Sequence, residues 1–252
     1  MDYSVVILTL NEEKNIERCL KSISFCKDII IIDDFSNDKT CEIAKLYGAR
    51  VYKRSLNNDF SSQKNYGTEK AKNKWILFLD ADEELNNELI KEIIGLNVES
   101  TVNGYYLKRR DFFWGKELNH GEVKKARNKG IIRLVKKETG KWKGSVHEKL
   151  VIQGYALTLN GFINHYPHQS IKEFLKSVNF YSTLRTRELY NQKKKTNIFE
   201  IIFLPFFKFI LTYVIYLGFL DGASGFVYAF FMSFHSFLVK VKLYQYCNID
   251  NK

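Results

Sequence analysis

The sequence predicts an α/β protein: a mostly parallel sheet with helices on both faces, followed by a helical C-terminal region. Three observations lead there. Over residues 1–100, short apolar runs alternate with helix-period segments, the pattern of strands joined by crossover helices. From Gly104 to about Asn164 the apolar runs shorten and lie among glycines, tryptophans and basic residues. After Ser170 apolar residues recur at helical spacing, and two long apolar stretches follow.

Each element has a local reason. Val5-Val6-Ile7-Leu8 reads as a buried strand, which makes the start a strand and not a signal peptide. Ile16, Leu20 and Ile23 predict a helix over Glu12–Phe25 with Asn11 as its N-cap. Asp28–Ile32 is a second strand, Ser36-Asn37-Asp38 caps a helix over Lys39–Tyr47, and Ala49–Lys53 is a third strand. A helix over Ser61–Ala71, a strand over Trp75–Leu79 and a helix over Asn86–Leu96 complete this half. The segment from 104 to 164 is expected to be an insertion of strands and loops. Phe174, Leu175, Val178, Tyr181 and Leu184 then mark one side of a helix over Ser170–Tyr190.

The apolar stretches run Ile201–Leu220 and Ala223–Val239, with Lys193-Lys194-Lys195 before them and Lys240 and Lys242 after. Twenty apolar residues are enough to span a bilayer. Pro205, Lys208 and Asp221 interrupt them, which favours helices lying in the membrane interface or dipping partway in, peripheral or monotopic. Lysines on both flanks place that surface on the cytoplasmic side of the inner membrane, against anionic lipid. A buried helical pair or an oligomer contact is the alternative.

The formal net charge of +11 calls for a negatively charged partner. Between Tyr105 and Leu150 there are fourteen Lys or Arg against five Asp or Glu, so much of the excess sits in the insertion. Nucleic acid is not expected, because no nucleic-acid-binding motif accompanies the charge. The four cysteines lack CxxC spacing and read as free thiols.

Acidic residues follow the apolar strands, at the sheet edge where ligands of α/β proteins bind. Asp80-Ala81-Asp82 comes directly after Trp75–Leu79, and two carboxylates at that spacing can reach one Mg²⁺ or Mn²⁺. A solvated acidic turn before a helix is the alternative. Thr9-Leu10-Asn11-Glu12 and Asp33-Asp34 fall on the same edge, with carboxylates able to accept from a ribose or a base. No glycine-rich phosphate loop follows the first strand, which argues against a dinucleotide oxidoreductase or a P-loop ATPase.

As a set, four segments resemble glycosyltransferase family 2, with its GT-A fold. They are Val5–Glu12, Ile32–Thr40, Gln63-Lys64-Asn65-Tyr66-Gly67 and Phe78–Glu83. The resemblance implies that Thr9, Asn11, Glu12 and Asp34 line a nucleotide-sugar pocket. It further implies that Lys64 approaches the base or diphosphate, that Asp82 ligates the metal, and that Asp80 and Ala81 help hold the sugar nucleotide, a UDP-sugar first of all. The rest is similar to small bacterial lipopolysaccharide-core glucosyltransferases through Arg110–Lys116, Ile132–Val135, Val146-His147-Glu148 and Gly218–Gly222. That branch implies a lipid-linked or phosphorylated glycan acceptor. Family 2 enzymes mostly invert the anomeric centre, which requires a base: Glu148 is the candidate, with Asp111 its rival. Asp111, Trp114, Arg133 and His147 are expected on the acceptor side. Arg109, Arg110, Lys124, Lys125 and Arg127 are further candidates for acceptor phosphates, and Trp114 and Trp142 for stacking on sugars. His165 and His168 carry weaker expectations. The expected division is a catalytic domain over 1–168 (donor half 1–100, acceptor half 101–168) and a membrane-associating region over 169–252. A nucleotidyltransferase and a non-catalytic membrane-bound sugar-nucleotide-binding module are the competing readings.

Overall fold

The structure, a computed structural model, describes residues 2–97, 101–144, 148–168 and 170–248. The chain forms two compact units, one of residues 1–110 with 126–165, the other of 111–125 with 166–252. The span 1–168 expected as one domain is therefore divided, because 111–125 groups with the C-terminal helices.

The first unit is built on β1 (Tyr3–Thr9), with β2 (Asp28–Asp33) and β4 (Trp75–Asp80) parallel to it on either side. β3 (Arg50–Lys53) continues the parallel part beyond β2. These central strands carry apolar side chains on both faces because both faces are covered. On one face Val5, Ile7, Leu77 and Leu79 pack with Leu20 of α1 (Ile16–Ser22), Ala44 of α2 (Thr40–Leu46), and Leu89 and Ile93 of α4 (Asn87–Gly95). On the other, Val6, Ile30, Ile32, Ile76 and Phe78 pack with Tyr66 of α3 (Phe60–Lys70). The sheet continues antiparallel: β8 (Ile131–Lys136) pairs with β4, and β6 (Val102–Phe113) pairs with β8. The full order is β3-β2-β1-β4-β8-β6-β11-β5, with β11 (Tyr155–His165) antiparallel to the short β5 (Glu83–Leu85). A separate hairpin of β9 (Gly140–Lys143) and β10 (Lys149–Ile152) covers the α3 face through Trp142 and Leu150. The short helix α5 (Lys124–Lys129) precedes β8 and was not legible as a helix.

Two helix starts differ from expectation. α1 begins at Ile16, and Asn11 takes a left-handed backbone, φ 56°, inside a loop. Asn tolerates that conformation, and its amide oxygen accepts from Asn37 N while its own N–H donates to Ser36 Oγ. Asn11 thus ties two loops together instead of capping. At α2 the N-cap position is Lys39, without a side-chain cap, and of the three expected residues Asp38 comes nearest to that task, its carboxylate accepting from Thr40 N.

In the second unit the end of β6 pairs with β7 (Lys116–Leu118). α6 (Ile171–Asn191) is capped by Ser170, whose Oγ accepts from Glu173 N. α7 (Ile198–Phe209) runs into a π-helical turn (Ile210–Ile215), then a 3-10 turn (Gly218–Asp221), then α8 (Gly222–Asn248). Phe113, Leu118, Val123, Phe174, Val178 and Phe231 form the core of this unit, so α8 is packed against α6. The residues that interrupt the apolar stretches are all engaged. Lys208 pairs with Glu122 at 2.6 Å, the Pro205 carbonyl accepts from Ser233 Oγ, and Asp221 accepts from the N–H groups of Asn119 and His120. Outward, α7 is greasy: Phe199 is 68% exposed and Phe207 59%. Ile198–Ile215 and Gly218–Asn248 are each long and apolar enough to cross a membrane.

Gly67 lets α3 approach β1 closely, since a Cβ there would lie 2.3 Å from Val6 Cγ1. We expect Gly67→Ala to destabilise the fold by about 1–3 kcal/mol, the usual cost of overpacking. In a double-mutant cycle with Val6→Ala the two losses should fall short of additive, because the second substitution removes the clashing methyl. Additive losses in urea melts would show that the contact is not the constraint.

Candidate functional site

Parallel register brings the acidic strand ends together. Thr9 lies opposite Asp33, and Leu8 opposite Asp80. Asp33 is fully buried and accepts from Thr9 Oγ1 at 2.9 Å and from the hydroxyl and backbone N–H of Ser36. It is a brace for the loop. Asp34 is half-buried, and one carboxylate oxygen accepts from Leu56 N at 2.9 Å. Glu12 is held by Asn15, which donates to Oε2, and by its own N–H donating to Thr40 Oγ1. Burial pushes the Glu12 carboxyl up to about 7, against the Asn15 bond and with smaller help from the charges of Asp82, Asp38 and Asp80.

After β4 the chain places Asp80, Asp82 and Glu83 within four residues, and each is balanced differently. Asp80 Oδ2 accepts from Arg133 Nη2 at 2.6 Å, and Lys64 Nζ lies 3.7 Å from Oδ1. Burial would raise its pKa, but Arg133 and then Lys64 outweigh that and hold the carboxyl well below the ordinary carboxylate range. Glu83 is fully buried, accepts from Arg133 at 3.0 Å and from Asp80 N at 2.9 Å, and is pushed up chiefly by burial. Asp82 has neither of those cations within salt-bridge range. Its Oδ2 lies 3.4 Å from His165 Nε2, and His165 outweighs burial in lowering its pKa.

The helix α3 supplies the rest. Lys64, only 5% exposed, donates to Glu148 Oε1 at 2.7 Å and sits 4.3 Å from the centre of the Trp142 ring. Asn65 holds the Trp142 backbone twice, donating to its carbonyl and accepting from its N–H, both at 3.0 Å. Gln63 bonds Arg54 through both ends of its amide.

Thr9, Asn11, Glu12, Asp34, Lys64, Asp80, buried Ala81, Asp82 and Glu148 all belong to the first unit. Arg133 is placed differently from its acceptor-side expectation: it is 5% exposed and its Nη2 is committed to Asp80 and Glu83. Asp111 and Trp114 fall in the second unit, Asp111 fully buried and Trp114 47% exposed with its ring stacked on Phe113. His147 lies outside the described residues. His165 and Glu83 carry more of the site than their sequence suggested. The three-residue strand β5 pairs with β11 so that His165 faces Glu83. A pairing of residues some eighty apart through so short a strand leaves no local signal.

The family described as Glycosyl transferase family 2 matches residues 4–149. An uncharacterised glycosyltransferase of Rickettsia typhi is 30% identical over 254 residues, covering 95% of this chain and 86% of the relative. The lipopolysaccharide core biosynthesis glycosyltransferase LpsC of Rhizobium meliloti is 27% identical, covering 96% and 92%. Among solved structures, S. aureus TarS 1–349 in complex with UDP-GlcNAc superposes with a TM-score of 0.51 at 12% identity, covering 98% of this chain and 92% of that one, which bears on the fold alone. The chain has a GT-A-like fold and belongs to glycosyltransferase family 2.

Proposed function

We propose that this enzyme is an inverting, divalent-cation-dependent glycosyltransferase. It takes a sugar from a nucleoside-diphosphate sugar and transfers it to a hydroxyl of a lipid-linked or phosphorylated glycan at the cytoplasmic face of the inner membrane. The observation that carries this reading is the unequal treatment of neighbouring carboxylates. Asp80 pairs with Arg133 and has Lys64 3.7 Å away, while the Asp82 carboxylate lies 3.4 Å from the His165 imidazole, with Arg109 a smaller positive influence.

A cation fits Asp82. A carboxylate oxygen and His165 Nε2 already converge at 3.4 Å, and no cluster of three or more His, Cys, Asp or Glu suited to a metal exists among the described residues. Mg²⁺ and Mn²⁺ at nucleotide sites take one or two protein ligands and complete their shell with phosphate oxygens and water, so a sparse protein set suits them. When bound, the cation supplies Lewis-acid charge to the departing diphosphate. In our reading Thr9, Asn11, Glu12 and Asp34 surround the nucleoside, while Asp80 with Ala81 faces the sugar. The acceptor oxygen attacks the anomeric carbon, the bond to the diphosphate breaks with its electron pair going to the leaving group, and Glu148 takes the hydroxyl proton. Lys64 fixes Glu148 through the 2.7 Å contact. Asp111 is less suited to be the base, being fully buried.

For the acceptor, support comes from LpsC, named for lipopolysaccharide core biosynthesis, and from charge. Arg110, Arg127 and Lys108 lie 3.9, 5.8 and 5.9 Å from the centre of the Phe162 ring. Three cations on one ring favour an anionic group nearby. A uridine donor is our first choice; TarS, a relative in fold, was solved with UDP-GlcNAc. Membrane association is supported by the exposed aromatics of α7 and the lysines at 193–195. With Lys208 and Asp221 committed to partners in their own unit, we favour α7 lying in the interface over a span.

Glu148→Gln keeps the shape and removes the basicity. Transfer should fall by about 10²- to 10⁴-fold, with donor affinity little changed. Wild-type transfer should be lost in excess chelator and restored by Mn²⁺. Near-normal turnover in Glu148→Gln, or activity that persists with chelator, contradicts the base or the cation respectively.

Phe199, Phe203 and Phe207 stack in a row along α7. Replacing all three with Ser should weaken binding to phosphatidylglycerol vesicles by more than about tenfold, as burying one such ring contributes about 1.5–3 kcal/mol. Nucleotide binding should be unaffected. Unchanged vesicle sedimentation would remove α7 from the membrane contact.

A further inference from the structure

One face of the sheet holds two buried donors near Lys64 and Asp80 that have no hydrogen-bond partner among the described residues. Side chains two apart on a strand share a face. Phe78 and Asp80 of β4 therefore lie on the α3 side, as do Val135 and Arg133 of β8. Trp142 packs edge-on against Phe78 with ring centres 5.1 Å apart, and Lys64 bridges the same place from above the indole.

Arg133 uses Nη2 for both Asp80 and Glu83, but its Nη1 is buried with no hydrogen-bond partner among the described residues. Trp142 Nε1 is in the same state. The two residues are 5% and 6% exposed. Buried N–H groups are almost always paired, because an unpaired one loses its water with nothing in return. Two such donors, one on the guanidinium that binds Asp80 and one on the ring under Lys64, point to a ligand. The Asp80 side chain is 37% exposed, so the place opens to solvent there.

The character of the ligand follows from the neighbours. Asp80 and Glu148 are acceptors beside these donors, and Asp82 is two residues from Asp80. A phosphate would gain the two N–H groups but meet the carboxylates. A hydroxyl suits both sets, since it accepts from an N–H and donates to a carboxylate with one oxygen. Vicinal sugar hydroxyls match such an alternation. We propose that Arg133 Nη1 and Trp142 Nε1 hold hydroxyl oxygens of the sugar being transferred and set which donor sugar the enzyme accepts. This rests on reading the site as one for a nucleotide sugar. A site that bonds a hydroxyl rejects an analogue lacking or misplacing it strongly, because its own buried groups are then left unpaired.

Trp142→Phe is the direct test: it deletes the indole N–H and keeps a ring for Phe78 and Lys64. Titration calorimetry with Mn²⁺ would compare UDP, UDP-glucose, UDP-galactose and UDP-GlcNAc on wild type, Trp142→Phe and Arg133→Lys. We expect wild type to prefer one sugar, and Trp142→Phe to lose about tenfold or more of that preference, the worth of one good hydrogen bond. The Kd for UDP itself should change less than about twofold by the same reasoning, which also reports an intact fold. Arg133→Lys should weaken the preference in the same direction. If both variants keep the full wild-type preference, the inference is overturned while the nucleotide-sugar reading stands. If wild type binds none of the four, nor GDP or dTDP, the nucleotide-sugar reading fails and the inference falls with it.

Discussion

The site depends on one ion pair, the 2.6 Å contact between Arg133 and Asp80. Three carboxyl groups, those of Asp80, Asp82 and Glu83, crowd into four residues at the end of β4, and Glu83 has no exposure at all. Buried charge of one sign is costly unless paired and hydrogen-bonded. Arg133 answers two of the three at once, and Lys64 adds a second cation beside Asp80. Among the described residues the ion-pair partner of Asp82 is His165, with Arg109 a smaller positive influence. The antiparallel strand β8 is therefore more than an extension of the sheet. By pairing with β4 it carries a guanidinium to the place where the parallel strands concentrate negative charge. Removing Arg133 would leave two carboxylates without their partner, so its loss should harm the fold as well as the site.

Much of the first hundred residues was legible because local and global signals agree there. The apolar runs Val5–Leu8, Asp28–Ile32 and Trp75–Leu79 became β1, β2 and β4 with bounds shifted by a residue or two. Their ends, predicted to share an edge, are brought together by parallel register. Illegible features were those whose cause lies far away in sequence. Asn11 looked like a cap because capping is the common local use of Asn, yet its partners are Ser36 and Asn37 on the next loop. Arg133 was expected on the acceptor side because it lies in a basic segment, and only the β4–β8 register shows that it reaches Asp80. His165 depends on the β11–β5 pairing, which no periodicity in a three-residue strand could reveal.

The C-terminal region follows different physics. Its helices are apolar on more faces than a soluble helix needs, and α8 spends one of them on α6 through Phe174, Val178 and Phe231. α7 keeps a row of stacked phenylalanines outward. The polar interruptions, which argued against a simple span, turn out to be structural. Asp221 holds the backbone of Asn119 and His120, and its carbonyl accepts from Lys116 Nζ at 2.9 Å. Gly218 and Gly225 let this turn close, since a Cβ on either would lie within 3 Å of backbone oxygen.

In the proposed function, Asp82 and His165 form half of a cation site whose other half is the donor's diphosphate. Water-proton relaxation with Mn²⁺, measured with and without UDP, tests it most directly. We expect weak Mn²⁺ binding by the protein alone and an affinity at least about tenfold higher with UDP present, since the shell is shared with substrate phosphates. Asp82→Asn should abolish that enhancement. Mn²⁺ binding of equal strength with and without UDP, or an enhancement that survives Asp82→Asn, would contradict it.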